Sequence, residues 1–131
     1  MKIRLVAVSG LVALAYALSA HAEQAEAPSI TPTELAERRA SSSAPAVVDV
    51  RTAAEYATGH VPGAVNIPYD EVADRISEID AGNGVALYCM VGPRARKGEA
   101  ALMAAGHTSI LHLEGGMVAW KEAGLPVEGA P

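Results

Sequence analysis

The chain has 131 residues, with 10 Lys and Arg against 15 Asp and Glu, and a formal net charge of −5. That acidic balance argues against nucleic acid and anionic membrane surfaces as partners, and the length suits a single domain. A single cysteine rules out an internal disulfide, so the fold must rest on its core.

The first segment carries targeting features rather than fold features. Lys2 and Arg4 precede an apolar stretch from Leu5 to Leu18, and Ala20-His21-Ala22 places small residues where a signal peptidase reads. Residues 1–22 are therefore expected to be a signal peptide cut after Ala22, which makes the mature protein an exported, periplasmic one without stable membrane association. The competing reading is a retained anchor, because Leu5 to Ala22 contains no Lys, Arg, Asp or Glu. Residues 23–30 read as a flexible polar leader, and residues 31–129 as the folded domain.

Thr31, Pro32 and Glu34 form a capping-box pattern that predicts a helix to about Arg39. Ser41-Ser42-Ser43-Ala44-Pro45 breaks it, and Ala46 to Val50 reads as a short buried strand. Thr52 and Glu55 repeat the capping box for a short helix stopped by Gly59, and the Pro and Gly residues of 61–68 surround a very short strand. A helix capped by Asp70 is expected to reach about Ile79, with Val72, Ile76 and Ile79 on one face. Then come a strand at Val85 to Tyr88, a helix ending near Ala105, a strand at Ser109 to Leu113, and a helix at Met117 to Ala123 closed by Gly124 and Pro126. Strands alternating with helices over short links imply an α/β fold with a mainly parallel sheet covered on both faces.

In such sheets the ligand crevice lies at the carboxyl ends of the strands, where Asp49-Val50-Arg51, Cys89 and Glu114-Gly115-Gly116 all fall. Cys89 ends an apolar run and opens a turn, Met90-Val91-Gly92-Pro93-Arg94, that leads into a helix. This context aims successive N–H groups and the positive end of a helix dipole at one point, as an anion-binding nucleophile loop does. A lone Cys is also a good small packing residue, and on strand position alone that reading leads. The cluster Arg94, Arg96 and Lys97 reverses the order, because cations in a first helical turn oppose its dipole by roughly 0.3–1 kcal/mol each and imply a nearby anion.

Four motifs then occur in order. Val48-Asp49-Val50-Arg51 with Glu55-Tyr56 comes first, followed by Gly59-His60-Val61-Pro62-Gly63-Ala64 with Asn66-Ile67-Pro68. Cys89-Met90-Val91-Gly92-Pro93-Arg94-Ala95 is third, and Gly115-Gly116 with Trp120 is fourth. In order and spacing the chain resembles a single-domain rhodanese over about residues 31–129, and is similar to the periplasmic sulfurtransferases of Gram-negative bacteria. The resemblance implies a rhodanese-like sheet of about five strands and a Cys89 that carries a persulfide. That persulfide would be loaded from a small anionic donor such as thiosulfate and passed to a thiophilic acceptor such as cyanide or a thiol, with no cofactor. Met90, Val91, Gly92, Arg94 and Ala95 become the substrate-binding loop, and Asp49, Arg51 and His60 its supporting residues.

Cys89 and Arg94 are separated by four residues. Rhodanese-fold phosphatases and arsenate reductases resemble Cys-x5-Arg instead, so the shorter loop favours sulfur. Arg94 is expected to hold the loop closed or to meet the sulfonate end of thiosulfate, whereas Pro93 removes one N–H donor from the cradle. Asp49 is expected to bond the Cys loop or Arg51, or to act only as a turn acceptor. Arg51 and Glu55, four apart, read as a helix-surface pair. His60 reads as a turn-shaping residue, His107 and His112 lack ligand spacing with it, and no metal site is called for. Met117 and Trp120 read as core. A monomer is expected. The alternative from another class is a non-catalytic rhodanese-like binding module, while a thiol–disulfide oxidoreductase lacks the second cysteine it needs.

Overall fold

The computed structural model describes residues 25–129. The expected signal peptide, residues 1–22, lies outside the described residues. Five strands form one sheet in the order β1-β5-β4-β2-β3, every neighbouring pair parallel. They are β1 (Ser29–Ile30), β2 (Ala46–Asp49), β3 (Val65–Asn66), β4 (Val85–Tyr88) and β5 (Ile110–Leu113). The helices are α1 (Pro32–Arg39), α2 (Ala53–Ala57), α3 (Val72–Arg75), α4 (Pro93–Ala104) and α5 (Gly116–Glu122).

Alternation along the strands divides the core into two layers. Val48, Val85, Leu87 and Ile110 face α3 and α4, where Val72, Ala95 and Leu102 meet them. Val47, Ala86, Tyr88 and Leu113 face the other way, against Leu35 of α1 and Met117 and Trp120 of α5. Each fully buried large aliphatic side chain contributes about 1.5–3 kcal/mol, so two such layers sustain the domain without a disulfide. Helices thus cover both faces of an all-parallel sheet, as the alternating pattern implies.

The structure departs from the sequence expectations at two places. Ser29 and Ile30, expected in the flexible leader, form edge strand β1 in register with His112 and Leu113 of β5, and Ala27 and Ile30 are buried. A two-residue strand has too little periodicity to announce itself; pairing with β5 creates it. The helix expected from Asp70 to Ile79 is cut to α3, followed by a 3-10 turn at Ile76–Glu78. Glu71 occupies the cap position without a side-chain hydrogen bond. The reciprocal Thr–Glu boxes that fix α1 and α2 are both present, whereas α3 has none to hold its first turn.

Candidate active site at the Cys89 loop

Cys89 follows the last residue of β4 and is only 1 % exposed, its side chain sharing the α3/α4 core face with Leu87 and Ala95. From there the chain turns outward through Met90 and Val91, both exposed, and re-enters at Gly92 and Pro93 to start α4. Pro93 stands at the first helical position, where a missing N–H costs least. Among the described residues, the amides of Met90, Val91, Gly92, Arg94 and Ala95 donate to no other protein group. Unspent N–H donors grouped at the start of a helix are the arrangement that anion-binding loops use.

The loop is held from below by α5. The amide of Met117 donates to the Cys89 carbonyl at 2.9 Å and that of Val118 to the Met90 carbonyl at 3.2 Å. These bonds commit two of the loop's carbonyls to α5, while its amides keep no protein partner among the described residues. The close approach demands glycine. A Cβ on Gly116 would stand 2.5 Å from the Cys89 carbonyl oxygen, and Gly115 and Gly116 both have left-handed φ, +72° and +57°.

Asp49 and Arg51 form a separate buried network. Arg51 is 1 % exposed, and its Nε and Nη2 donate to Asp49 at 2.6–3.1 Å. Nη2 also donates to the Gly59 carbonyl, and the Tyr88 hydroxyl donates to Asp49 Oδ2 at 2.8 Å while accepting from the Val61 amide. Asn66 Nδ2 donates to the carbonyls of Asp49 and Arg51. Burial opposes the Arg51 charge, but the bonds and charge of Asp49 outweigh it and the guanidinium is held more firmly protonated. Burial, then the Asp49 charge, pushes the Tyr88 hydroxyl up. Asp49 takes two of the three roles open to it: it bonds the Arg51 guanidinium, and its Oδ1 accepts from the Arg51 amide at 2.9 Å as a turn acceptor, while among the described residues it makes no bond to the Cys89 loop. The expected Arg51–Glu55 surface pair does not form, because the buried Asp49 takes Arg51 first.

Glu55 belongs instead to Arg94. The two make a bidentate pair at 2.6 and 2.9 Å, which with the Thr52 capping bonds holds the Glu55 carboxyl down at about 2. Arg94 therefore closes the loop onto α2 and is not aimed at a substrate. The other cations of the first turn also have protein partners. Arg96 reaches the Ala27 carbonyl, Glu99 and Glu26, and Lys97 lies 5.7 Å over the Tyr69 ring. The basic cluster is thus taken up by contacts within the protein, which leaves the backbone amides as the loop's uncommitted donors.

His60 is placed away from the loop's hydrogen bonds. Its ring stacks on Tyr56 at 3.6 Å, Nδ1 pairs with the Tyr56 carbonyl, and its backbone bridges to Glu128. These contacts hold it at the turn before Val61. Met117 and Trp120 are buried core residues.

Sequence reasoning missed two groups. Tyr88, taken only as strand, carries the polar link between β4 and β2. Glu99 and His112 form a buried pair, with Glu99 Oε2 2.7 Å from His112 Nδ1. Burial raises the Glu99 carboxyl, and His112 and Arg96 partly offset it. A charged residue on the inward face of α4 was the available signal.

The family model of the rhodanese-like domain matches residues 31–123. The chain is 39% identical over 93 residues to a sulfurtransferase of Allochromatium vinosum, a match covering 71% of this chain and 87% of that protein. It is 42% identical over 105 residues to the HTH-type transcriptional regulator Rv0324 of Mycobacterium tuberculosis, covering 78% of this chain and 46% of the regulator. The crystal structure of a rhodanese-related protein from Thermoplasma volcanium superposes with a TM-score of 0.68 at 29% identity, covering 78% of this chain and 98% of that one.

Proposed function

We propose that this chain, which belongs to the rhodanese-like domain family, is a thiosulfate sulfurtransferase that works through a Cys89 persulfide. The observation that carries this reading is the run of uncommitted amides at Met90, Val91, Gly92, Arg94 and Ala95 directly after a single buried thiol. In the first half-reaction the Cys89 thiolate attacks the outer sulfur of thiosulfate. A new S–S bond forms, the old one breaks, and its electron pair leaves with sulfite. The persulfide is itself anionic and draws on the same amides. In the second half-reaction a thiophilic acceptor, cyanide or a thiolate, bonds the outer sulfur and returns the Cys89 thiolate. Free and persulfide forms alternate, so the kinetics are ping-pong.

Arg94 supports the reaction by holding the loop against α2 through Glu55, which leaves recognition of the sulfonate to the amides. The protein works as a monomer in the periplasm after removal of residues 1–22. The mature chain then begins at Glu23, which N-terminal sequencing of the exported protein tests; full-length chain recovered in membranes contradicts it.

Incubation of the purified protein with thiosulfate and cyanide should yield thiocyanate, with none from Cys89→Ala. A wild type that forms neither thiocyanate nor a sulfur adduct on Cys89 leaves the second reading, a rhodanese-like binding module. The match to half of a transcriptional regulator favours that reading in such a case.

A further inference from the structure

The buried Glu99–His112 pair lies on the same side of the sheet as the thiol. His112 is paired in register with Leu87 on β4, and Leu87 and Cys89 share the α4 face. Glu99 reaches His112 Nδ1 from the inner face of α4, and both residues are buried, at 1 % and 6 % exposure. The opposite edge of the ring faces the loop: a Cβ on Gly92 would stand 3.7 Å from Nε2 and 3.8 Å from Cε1. A titratable imidazole therefore packs against the glycine of the loop, although sulfur transfer as described needs no such group.

We propose that His112, oriented by Glu99, is a positioning residue that sets the charge beneath the Cys89 loop: its imidazolium form strengthens the loop's hold on an anion, and its neutral form relaxes it. The charged groups around it support this role. On α4 these are Glu99 and Arg96, and the segment before β1 contributes Glu26 through Arg96. The neighbouring strand partners, Ser29 on β1 and Leu87 on β4, are neutral. In the loop itself the flanking titratable and charged groups are Cys89 and Arg94, and Arg94 is already neutralised by Glu55. Both arginines keep their charge at any working pH, so Glu99 and His112 are the groups beneath the loop that can change it. Glu99 fixes the ring through Nδ1 and so keeps the Nε2 edge against Gly92.

The inference deepens the sulfurtransferase reading and rests on it for its purpose, but its test does not need turnover. Cys89 is the only cysteine, so alkylation reports on one site. Iodoacetate and iodoacetamide consume the same thiolate, so the ratio of their rates cancels thiol ionisation and reads the local potential acting on an anion. As the pH is lowered, the ratio of the iodoacetate rate to the iodoacetamide rate should rise about threefold to tenfold in the wild type, as one added unit charge near the site requires. In His112→Gln it should stay flat at the high-pH value. Glu99→Gln, which keeps the imidazole but removes its counter-charge, should move the step to lower pH.

A flat wild-type ratio, or a His112→Gln chain that keeps the wild-type step, overturns the inference. So does a step lost in Glu99→Gln but kept in His112→Gln, which would make Glu99 the titrating group. Melting curves for both variants show that the fold survives, and if His112→Gln does not fold, Glu99→Gln decides by the presence or absence of its shift. A wild type that shows the step yet transfers no sulfur contradicts only the sulfurtransferase reading. One that transfers sulfur with a flat ratio contradicts only the role of His112.

Discussion

The Cys89 loop and the Asp49–Arg51–Tyr88 network stand at the ends of adjacent strands, β4 and β2, yet they treat hydrogen bonding in opposite ways. In the network the central donors are spent: Arg51 Nε and Nη2 on Asp49 and Gly59, Tyr88 on Asp49, Asn66 Nδ2 on two carbonyls. In the loop the amides from Met90 to Ala95 are left uncommitted. A saturated network is rigid and costly to break, whereas an unsaturated loop keeps its donors for a guest. The saturated part supplies the fixed frame, and the unsaturated part keeps the donors that the proposed sulfur transfer needs.

If that division holds, variants on the two sides should fail differently. Cys89→Ala should lower sulfur transfer by about a thousandfold or more while melting within a few degrees of the wild type, measured by thiocyanate formation and circular dichroism. Asp49→Ala should do the reverse. It strands a buried guanidinium and a buried hydroxyl, which costs about 3–5 kcal/mol, read as a lower urea midpoint; activity lost at an unchanged midpoint would erase the contrast.

Gly116→Ala lies between the two regions. Its Cβ would meet the carbonyl oxygens of Cys89 and Met90 at 2.5 and 2.7 Å, so the loop must shift. A stability loss of about 1–3 kcal/mol should come with a drop in sulfur transfer of at least about tenfold. Full activity would mean that the seat of α5 does not shape the loop.

The smallest effect concerns Glu55. Its folded-state value of about 2 lies below the ordinary carboxylate value of about 4.3. The stabilisation from its pair with Arg94 is therefore fully present above that ordinary value, and is lost as pH falls through about 2. Glu55→Gln should cost about 1 kcal/mol near neutral pH, both partners being about one-third exposed or less. Its unfolding free energy should converge with that of the wild type in acid. A gap that stays constant down to pH about 2 would show that Arg94 is not the partner that matters.

Much of the frame could be read from the chain because its signals are local. The Thr31–Glu34 and Thr52–Glu55 boxes form as their spacing requires, and the apolar runs of β2 and β4 are buried as parallel strands are. The site's framework was legible only in part. Cys89 and Gly92 are consecutive with the loop they build, but Arg94–Glu55 and Tyr88–Asp49 each join residues 39 apart. Nothing in the spacing chooses between Arg51 and Arg94 as the partner of Glu55; burial of Asp49 beside Arg51 does. Edge strand β1 and the Glu99–His112 pair were hidden for the same reason, since both exist only through β5.

The central claim is that the uncommitted amides hold an anionic sulfur on Cys89, and intact-mass measurement of the protein after brief exposure to thiosulfate tests it most directly. A gain of one sulfur atom mapped to Cys89, with one sulfite released per chain and reversal by cyanide, is the predicted result. An unchanged mass with the thiol still open to alkylation would contradict it.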